Sequence, residues 1–468
     1  MVNTLAYFKF LKNNKTLYLS IAAIFLLLIF KLSFNAYPFL DDYIQFKGYS
    51  LYNNPIKDTY IKMGLYSVRP LAGLFDILFY AKFYNNFYIP YFIITIMHFS
   101  AVILMQKSFE KIGINFGWIF VILCLFSPVL IESTYWLSAS TRIIPPFFLS
   151  QLAVYLMLCT KTKCRFLYLF SYFVITLASL GFYEQIALFS VFINLFFCIK
   201  LKKYSELIIC IINALMFVLY YFAFKNNGIY NERSSFSSLD FPLLLNNIKI
   251  SLCAGFKCIF KSVNSSFPAF KTLSTVVLCL ACIRVRKSRF CPLKLYVGVA
   301  IFIICFLPFL LLDDYFITFR GLFLAFTGIA MIMDFLSDIW HFKYPLTVLI
   351  FILMIIGWSN EMADYKKVYE TDRKIINKIS NYITPSQKQS ADFTLGIMGA
   401  KKSYIPLNVL YGEHILNVTS SDWALTGALR AEFENVKFKY IIMTDDKSGY
   451  ICDVILDISD INNIKKIK

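Results

Sequence analysis

The chain has 468 residues, of which 59% are hydrophobic and 16% charged, and it carries a formal net charge of +18. Soluble domains hold about 25% charged residues, so this composition excludes one large soluble core. The basic excess does not mark a nucleic-acid binder either: Lys and Arg cluster in short gaps between apolar runs, as cytoplasmic turns do. Several of those runs approach the roughly 20 residues needed to cross a bilayer. The fold class that follows is an α-helical polytopic membrane protein.

The first apolar run, 17–33, follows Lys9, Lys12 and Lys15, which places the N-terminus in the cytoplasm. No small-x-small cleavage site follows it, so it reads as an uncleaved helix. Lys31, near its far end, is expected to snorkel outward. Residues 34–86 form a long external loop, in which RPLAGLFDILFY (69–80) predicts a helix lying in the membrane interface. Six further spans are expected at 88–106, 117–131, 143–159, 166–181, 185–199 and 206–224. A second external loop, 225–271, is expected to hold one or two short interfacial helices. The last four spans fall at 272–283, 295–312, 317–334 and 344–358. In this arrangement of about eleven spans the basic turns QKSFEK, KTKCR, KLKK and RVRKSRFCPLK share one side.

Residues 361–468 change character. The segment 364–383 reads as a charged amphipathic helix, and DFTLGIMGA and FKYIIMTDD alternate as strands do. The chain thus divides into a membrane domain, 1–360, and a small soluble α/β domain, 361–468, outside the membrane. Trp423 is expected in the core of the latter. Eleven of the twelve cysteines precede residue 310, mostly within apolar runs, where Cys acts as a small hydrophobe. Cys279 and Cys282 have a metal-like spacing but no second pair. The histidines His98, His341 and His414 are scattered, with no HExxH motif or triad partner, and read as structural.

The sparse polar residues can now be sorted by side. Asp41, Asp42, Arg69, Glu132, Tyr135, Trp136, Arg142, Tyr183, Glu184, Asp313, Asp314 and Arg320 all fall at external span ends. Ionisable groups there are functional candidates. A carboxylate can take the proton from an attacking hydroxyl, an arginine can pair with a departing phosphate, and aromatics can stack on a sugar or belt the interface. For Glu184 an interhelical hydrogen bond is an equal reading, as is an internal ion pair for Asp313, Asp314 and Arg320.

A short cytoplasmic N-terminus, one helix and an acidic doublet in the first external loop resemble the GT-C superfamily of membrane glycosyltransferases. Within it, NAYPFLDDYIQFKG, GLYSVRPL, ESTYWLSAS, SLGFYEQ and the soluble tail are similar to the Gtr-type O-antigen glucosyltransferases of enteric bacteria and their phages. The resemblance implies transfer of a sugar, usually glucose, from undecaprenyl phosphate to an O-antigen or lipopolysaccharide acceptor on the periplasmic face of the inner membrane. It implies a bactoprenol glucosyltransferase and a flippase as functional partners. On this chain it makes Asp41 or Asp42 the catalytic base, with Asp42 preferred and its neighbour binding acceptor or a divalent cation (Mg or Mn). Arg69 becomes a phosphate ligand by position, and Glu132, Tyr135, Trp136, Arg142, Glu184, Asp313, Asp314 and Arg320 the remaining donor or substrate contacts. The competing expectations are an O-antigen polymerase of the Wzy type and a polyprenyl-linked sugar transporter or flippase. The early acidic doublet and globular tail speak against the first, and the absence of related repeats against the second.

Overall fold

Apolar runs with no water to satisfy their backbone fold as helices, and helices dominate the computed structural model, which describes residues 22–67, 69–159, 164–224, 240–266, 291–311, 316–339, 343–435, 437–442 and 452–467. In chain order they are α1 (Ala22–Leu32), α2 (Pro70–Leu78), α3 (Tyr88–Lys111), α4 (Trp118–Phe126), α5 (Leu137–Cys159), α6 (Arg165–Leu180) and α7 (Glu184–Leu201). There follow α8 (Tyr204–Phe224), α9 (Phe241–Asn264), α10 (Pro292–Ile304), α11 (Phe323–Ile339), α12 (Lys343–Asn381) and α13 (Asp422–Phe433). Large apolar side chains such as Leu26, Phe166, Leu219 and Phe222 face outward, as they do where lipid is the solvent.

Among the described residues eight helices are long and apolar enough to cross a membrane; seven coincide with expected spans and the other is α9. The fifth span is the shorter helix α6, and the first is described only from Ala22 onward, as α1. The third stops at Phe126, because Ser127 is extended and Pro128 opens a separate 3-10 turn; a missing N–H and a fixed φ end the helix there. The fourth starts at Leu137 rather than 143, so Arg142 lies within a helix. The eighth, 272–283, lies outside the described residues, as do His341 and the Cys279–Cys282 pair. The added helix is α9, one 24-residue helix in place of one or two short ones. Its packed stretch touches one end of the bundle throughout. Ser251 donates to the Ile317 carbonyl at 3.1 Å, and three turns later Ser262 bonds Glu361 of α12. Helix α9 is therefore laid across that end.

Lys31 also departs from expectation. It is fully buried, donates to the Leu125 carbonyl at 3.2 Å and lies 4.2 Å above the Trp358 ring. A cation inside a bundle is held by carbonyls and aromatic faces, and Lys31 meets both.

Helix α12 joins the last apolar run and the charged segment 364–383 into one rod of 39 residues, about 58 Å long at 1.5 Å per residue. The boundary expected at 360 thus falls inside a helix. Beyond it lies a four-stranded sheet in the order β2-β1-β3-β4: β1 (Thr394–Met398) pairs in parallel with β2 (Lys439–Ile442) and β3 (Val454–Asp457), and β4 (Lys465–Lys466) is antiparallel to β3. Strands β1 and β2 are the two expected from alternation. Ile375, Ile376 and Ile379 of α12 share a core with Leu395, Ile397, Leu429 and Leu456. Trp423 packs on the bundle's core instead.

The tail is gripped by one face of α12. Glu361, Asp364 and Asp372, all buried, accept from His414 Nε2 (2.9 Å), the Asn408 N–H (2.8 Å), and Asn417 Nδ2 (2.6 Å) with the Val418 N–H (3.1 Å). Spacings of three and eleven residues keep the three carboxylates on one helical face. Asp372→Ala strands two buried donors, a loss of about 1–3 kcal/mol. Hydrogen exchange of residues 401–418 is expected to speed up in that variant, with the α3 and α5 amides unchanged.

Candidate functional site

Each helix end that carries an expected site residue lies at the same end of the bundle. Helix α1 runs towards it, α5, α7 and α11 start from it, and the apolar part of α12 ends at it. At the opposite end Lys294 pairs with Asp334 and with Asp338 (2.7 Å), and Lys343 pairs with Asp338.

The doublet follows Leu40, a buried residue at φ +38°, in the left-handed region that costs a branched side chain energy. The next residues wind into a π-helical turn, Tyr43–Lys47. This kinked segment is held from two sides. Tyr43 is buried in the core of the tail domain, and α13 packs so closely that a side chain on Gly427 would collide with Ile44. From the bundle, Trp136 Nε1 donates to the Phe39 carbonyl (3.0 Å) and Tyr135 Oη to the Asn35 carbonyl (2.7 Å). Tyr135 and Trp136 are both buried, so they serve as struts of the loop, with neither ring face open to a sugar.

The two aspartates part company. Asp42 is fully buried, and its two oxygens accept from the Phe39 N–H (2.9 Å) and the Ser138 N–H (2.8 Å). Burial pushes its carboxyl well above the usual range, against those two bonds, which lower it. Asp42 ties the loop to the start of α5, and the preference for it as base gives way. Asp41 is half-buried and lies within electrostatic reach of Arg320. The pair does not fit a cation, because Asp42 has no exposed oxygen to offer.

Three arginines, each with its own carboxylate, form the rest of the site. Arg69 grips Glu184 bidentately, Nε to Oε1 and Nη2 to Oε2 both at 3.1 Å, and stacks 4.6 Å from the Tyr183 ring. The SLGFYEQ turn comes this close because residue 181 is glycine: a Cβ there would sit 2.8 Å from Leu71 Cγ. The Leu71 N–H then donates to the Gly181 carbonyl at 2.9 Å. Arg142 lies 3.9 Å from Asp76 of α2. Arg320 pairs with Glu413 at 2.6 Å and lies over Trp136, 4.8 Å from the ring centre. Gln185 Nε2 bonds the Cys305 and Gly321 carbonyls, both at 3.1 Å, which locks the start of α7 beside Arg320. Tyr183, just before α7, feels the charge of Arg69, Arg142 and Arg320 together. These side chains keep 22%, 15% and 26% of their surface exposed, enough for remaining N–H donors to meet an anion. A guanidinium has five.

Glu132 is fully buried and faces His414 Nδ1 at 3.6 Å. Asp313 and Asp314 lie outside the described residues. The sequence reading missed Asp76, Glu361, Glu413 and His414 as partners. Asp76 had left a signal, a lone acid within the apolar stretch RPLAGLFDILFY. Glu413 and His414, in YGEHIL, show no pattern. Compared with protein-family models, curated proteins and solved structures, the chain matches none.

Burial pushes the Asp76 carboxyl up to about 6, with Arg142 and a 3.2 Å bond from Thr141 Oγ1 opposing it. The folded protein therefore holds this proton more tightly than the unfolded chain does. The stabilisation is full below the ordinary carboxylate range and is lost as pH rises through about 6. Asp76→Asn keeps an acceptor for Thr141 and removes the titration. The melting temperature of the wild type relative to Asp76→Asn, measured in detergent, is expected to fall between about pH 4 and 6 and to level off above.

Proposed function

We propose that the chain is a membrane glycosyltransferase that moves a sugar from a polyprenyl-phosphate carrier to a hydroxyl of an external polysaccharide. The donor class implied by the resemblance is undecaprenyl-phosphate glucose, and the acceptor class O-antigen or lipopolysaccharide on the periplasmic side of a bacterial inner membrane. The observation that carries this reading is a set of three partly exposed arginines at one end of the bundle, Arg69, Arg142 and Arg320, each facing its own carboxylate, with Asp41 within electrostatic reach of Arg320.

A phosphate monoester leaving a sugar carries charge that must be met where the bond breaks. Guanidinium groups do this well because they pair with phosphate oxygens two at a time. Carboxylate partners pre-orient the arginines before substrate arrives, which lowers the cost of ordering them. In the proposed reaction Asp41 accepts the proton of the acceptor hydroxyl as its oxygen attacks the anomeric carbon. The bond from that carbon to the phosphate oxygen breaks, and the polyprenyl phosphate leaves with the electron pair beneath the arginines. Asp42 holds the loop that carries Asp41 and does not itself move a proton.

The test is expression in a host that displays O-antigen, with side branches read by mass spectrometry of the polysaccharide. A general base contributes about 10²–10⁴-fold, so Asp41→Asn is expected to lose branching by that order while accumulating normally in the membrane. Arg320→Ala should be similarly impaired. Wild-type branching by Asp41→Asn would sink the base assignment. A wild-type effect on chain length with no new branch would overturn the transferase reading in favour of a polymerase. A phosphatase fused after Lys468 is expected to be active, and its inactivity would overturn the periplasmic placement of the tail.

A further inference from the structure

Beside the arginines lies a second group of side chains that takes no part in the transfer chemistry. Cys258 comes from α9, Glu361 from α12 and His414 from the segment between β1 and α13. All three are buried, and one ligand atom from each lies within 4.8 Å of the others. His414 Nε2 is 2.9 Å from Glu361 Oε2, and Ser262 Oγ donates to Oε1 of the same carboxylate. On the other side of the imidazole stands Glu132, fully buried, with neither oxygen hydrogen-bonded; His414 Nδ1, 3.6 Å away, is likewise without a hydrogen bond.

A carboxylate buried with neither oxygen bonded, as Glu132 is, is costly, and one imidazole cannot offset the charge of the two buried carboxylates Glu132 and Glu361. A divalent cation can. We infer that Cys258, Glu361 and His414 are the ligands of a zinc-class divalent cation, and that Glu132 orients the imidazole by accepting from Nδ1–H.

The donor set selects the ion. Thiolate with imidazole and carboxylate suits Zn²⁺ and excludes Mg²⁺ and Ca²⁺, which take oxygen ligands. An ion bound at about 2.0–2.3 Å from each ligand draws the three atoms closer together than they now stand, a change within the reach of side-chain rotation. Loading releases one proton from the Cys258 thiol and one from His414 Nε2 where these are protonated. The carboxylate–histidine–metal arrangement is then complete, with Glu132 in the outer position and Ser262 fixing Glu361. Three protein ligands leave a fourth position for water.

This assignment does not rest on the transferase reading. The three ligands belong to the helix laid across the bundle, to the long rod and to the tail, so the ion fastens these parts at one point. Glu413, the partner of Arg320, is adjacent to the His414 ligand. The ion would thereby set where that arginine stands.

The test uses the full chain purified in detergent, stripped with a chelator and titrated with Co²⁺. Wild type is expected to take up one equivalent and to show the thiolate-to-cobalt charge-transfer band in the near ultraviolet. Cys258→Ser should lose the band, and Glu132→Gln should keep it while binding about 10–100-fold more weakly. Zn²⁺ is expected to raise the melting temperature of wild type and to leave that of His414→Ala unchanged. Folded, monodisperse wild type that takes up neither Co²⁺ nor Zn²⁺ overturns the inference and leaves a hydrogen-bonded cluster only. A cobalt band that survives Cys258→Ser overturns the ligand set.

Discussion

The structure depends on a helix that does not stop at the membrane. Helix α12 carries an apolar face through the bundle and then, without a break, an acidic face along which the tail is fastened. Buried carboxylates on a rigid rod are tolerable only if N–H donors reach them at fixed heights. The irregular segment 402–418 supplies those donors, and it is held in place by them rather than by secondary structure of its own. Everything the tail contributes to the site, Glu413 and His414 above all, inherits its position from that rod.

The second principle is the division of labour between carboxylates. Asp42, Asp364 and Asp372 accept backbone or amide N–H groups and hold loops in place. Glu184, Asp76 and Glu413 each face an arginine that keeps part of its surface open. Asp41, next to Asp42 in the chain, is half-buried and lies within electrostatic reach of Arg320. A doublet in sequence is thus two different devices in space, because consecutive residues on a helical turn point some 100° apart.

The apolar spans were legible in the sequence because a bilayer imposes length and composition on a helix within a narrow range. Seven of the expected spans appear as long apolar helices. Strands β1 and β2 were legible for a related reason, the alternation of a half-buried sheet. The acidic, aromatic and arginine residues gathered at one face could be named from span ends alone. What stayed hidden was who partners whom. Lys31 reads as a snorkelling residue until Trp358 is placed above it, and Tyr135 and Trp136 read as sugar platforms until their donors meet the carbonyls of residues 35 and 39. His414 looked isolated since its carboxylates, Glu132 and Glu361, come from other helices. Pairings of this kind are set by helix rotation and depth, which periodicity does not encode.

The clamp on the first loop has a consequence for biosynthesis. Residues 41–47 emerge from the ribosome early, yet Ile44 packs against Gly427 and Lys47 pairs with Glu434 at 3.6 Å. Contacts so distant along the chain close slowly, since the loop between them must be ordered first. During nearly all of translation the segment around Asp41 has no wall on one side. A nascent chain halted inside the bundle can insert its helices and still lack the candidate site, which comes into being only after residue 434 has been made.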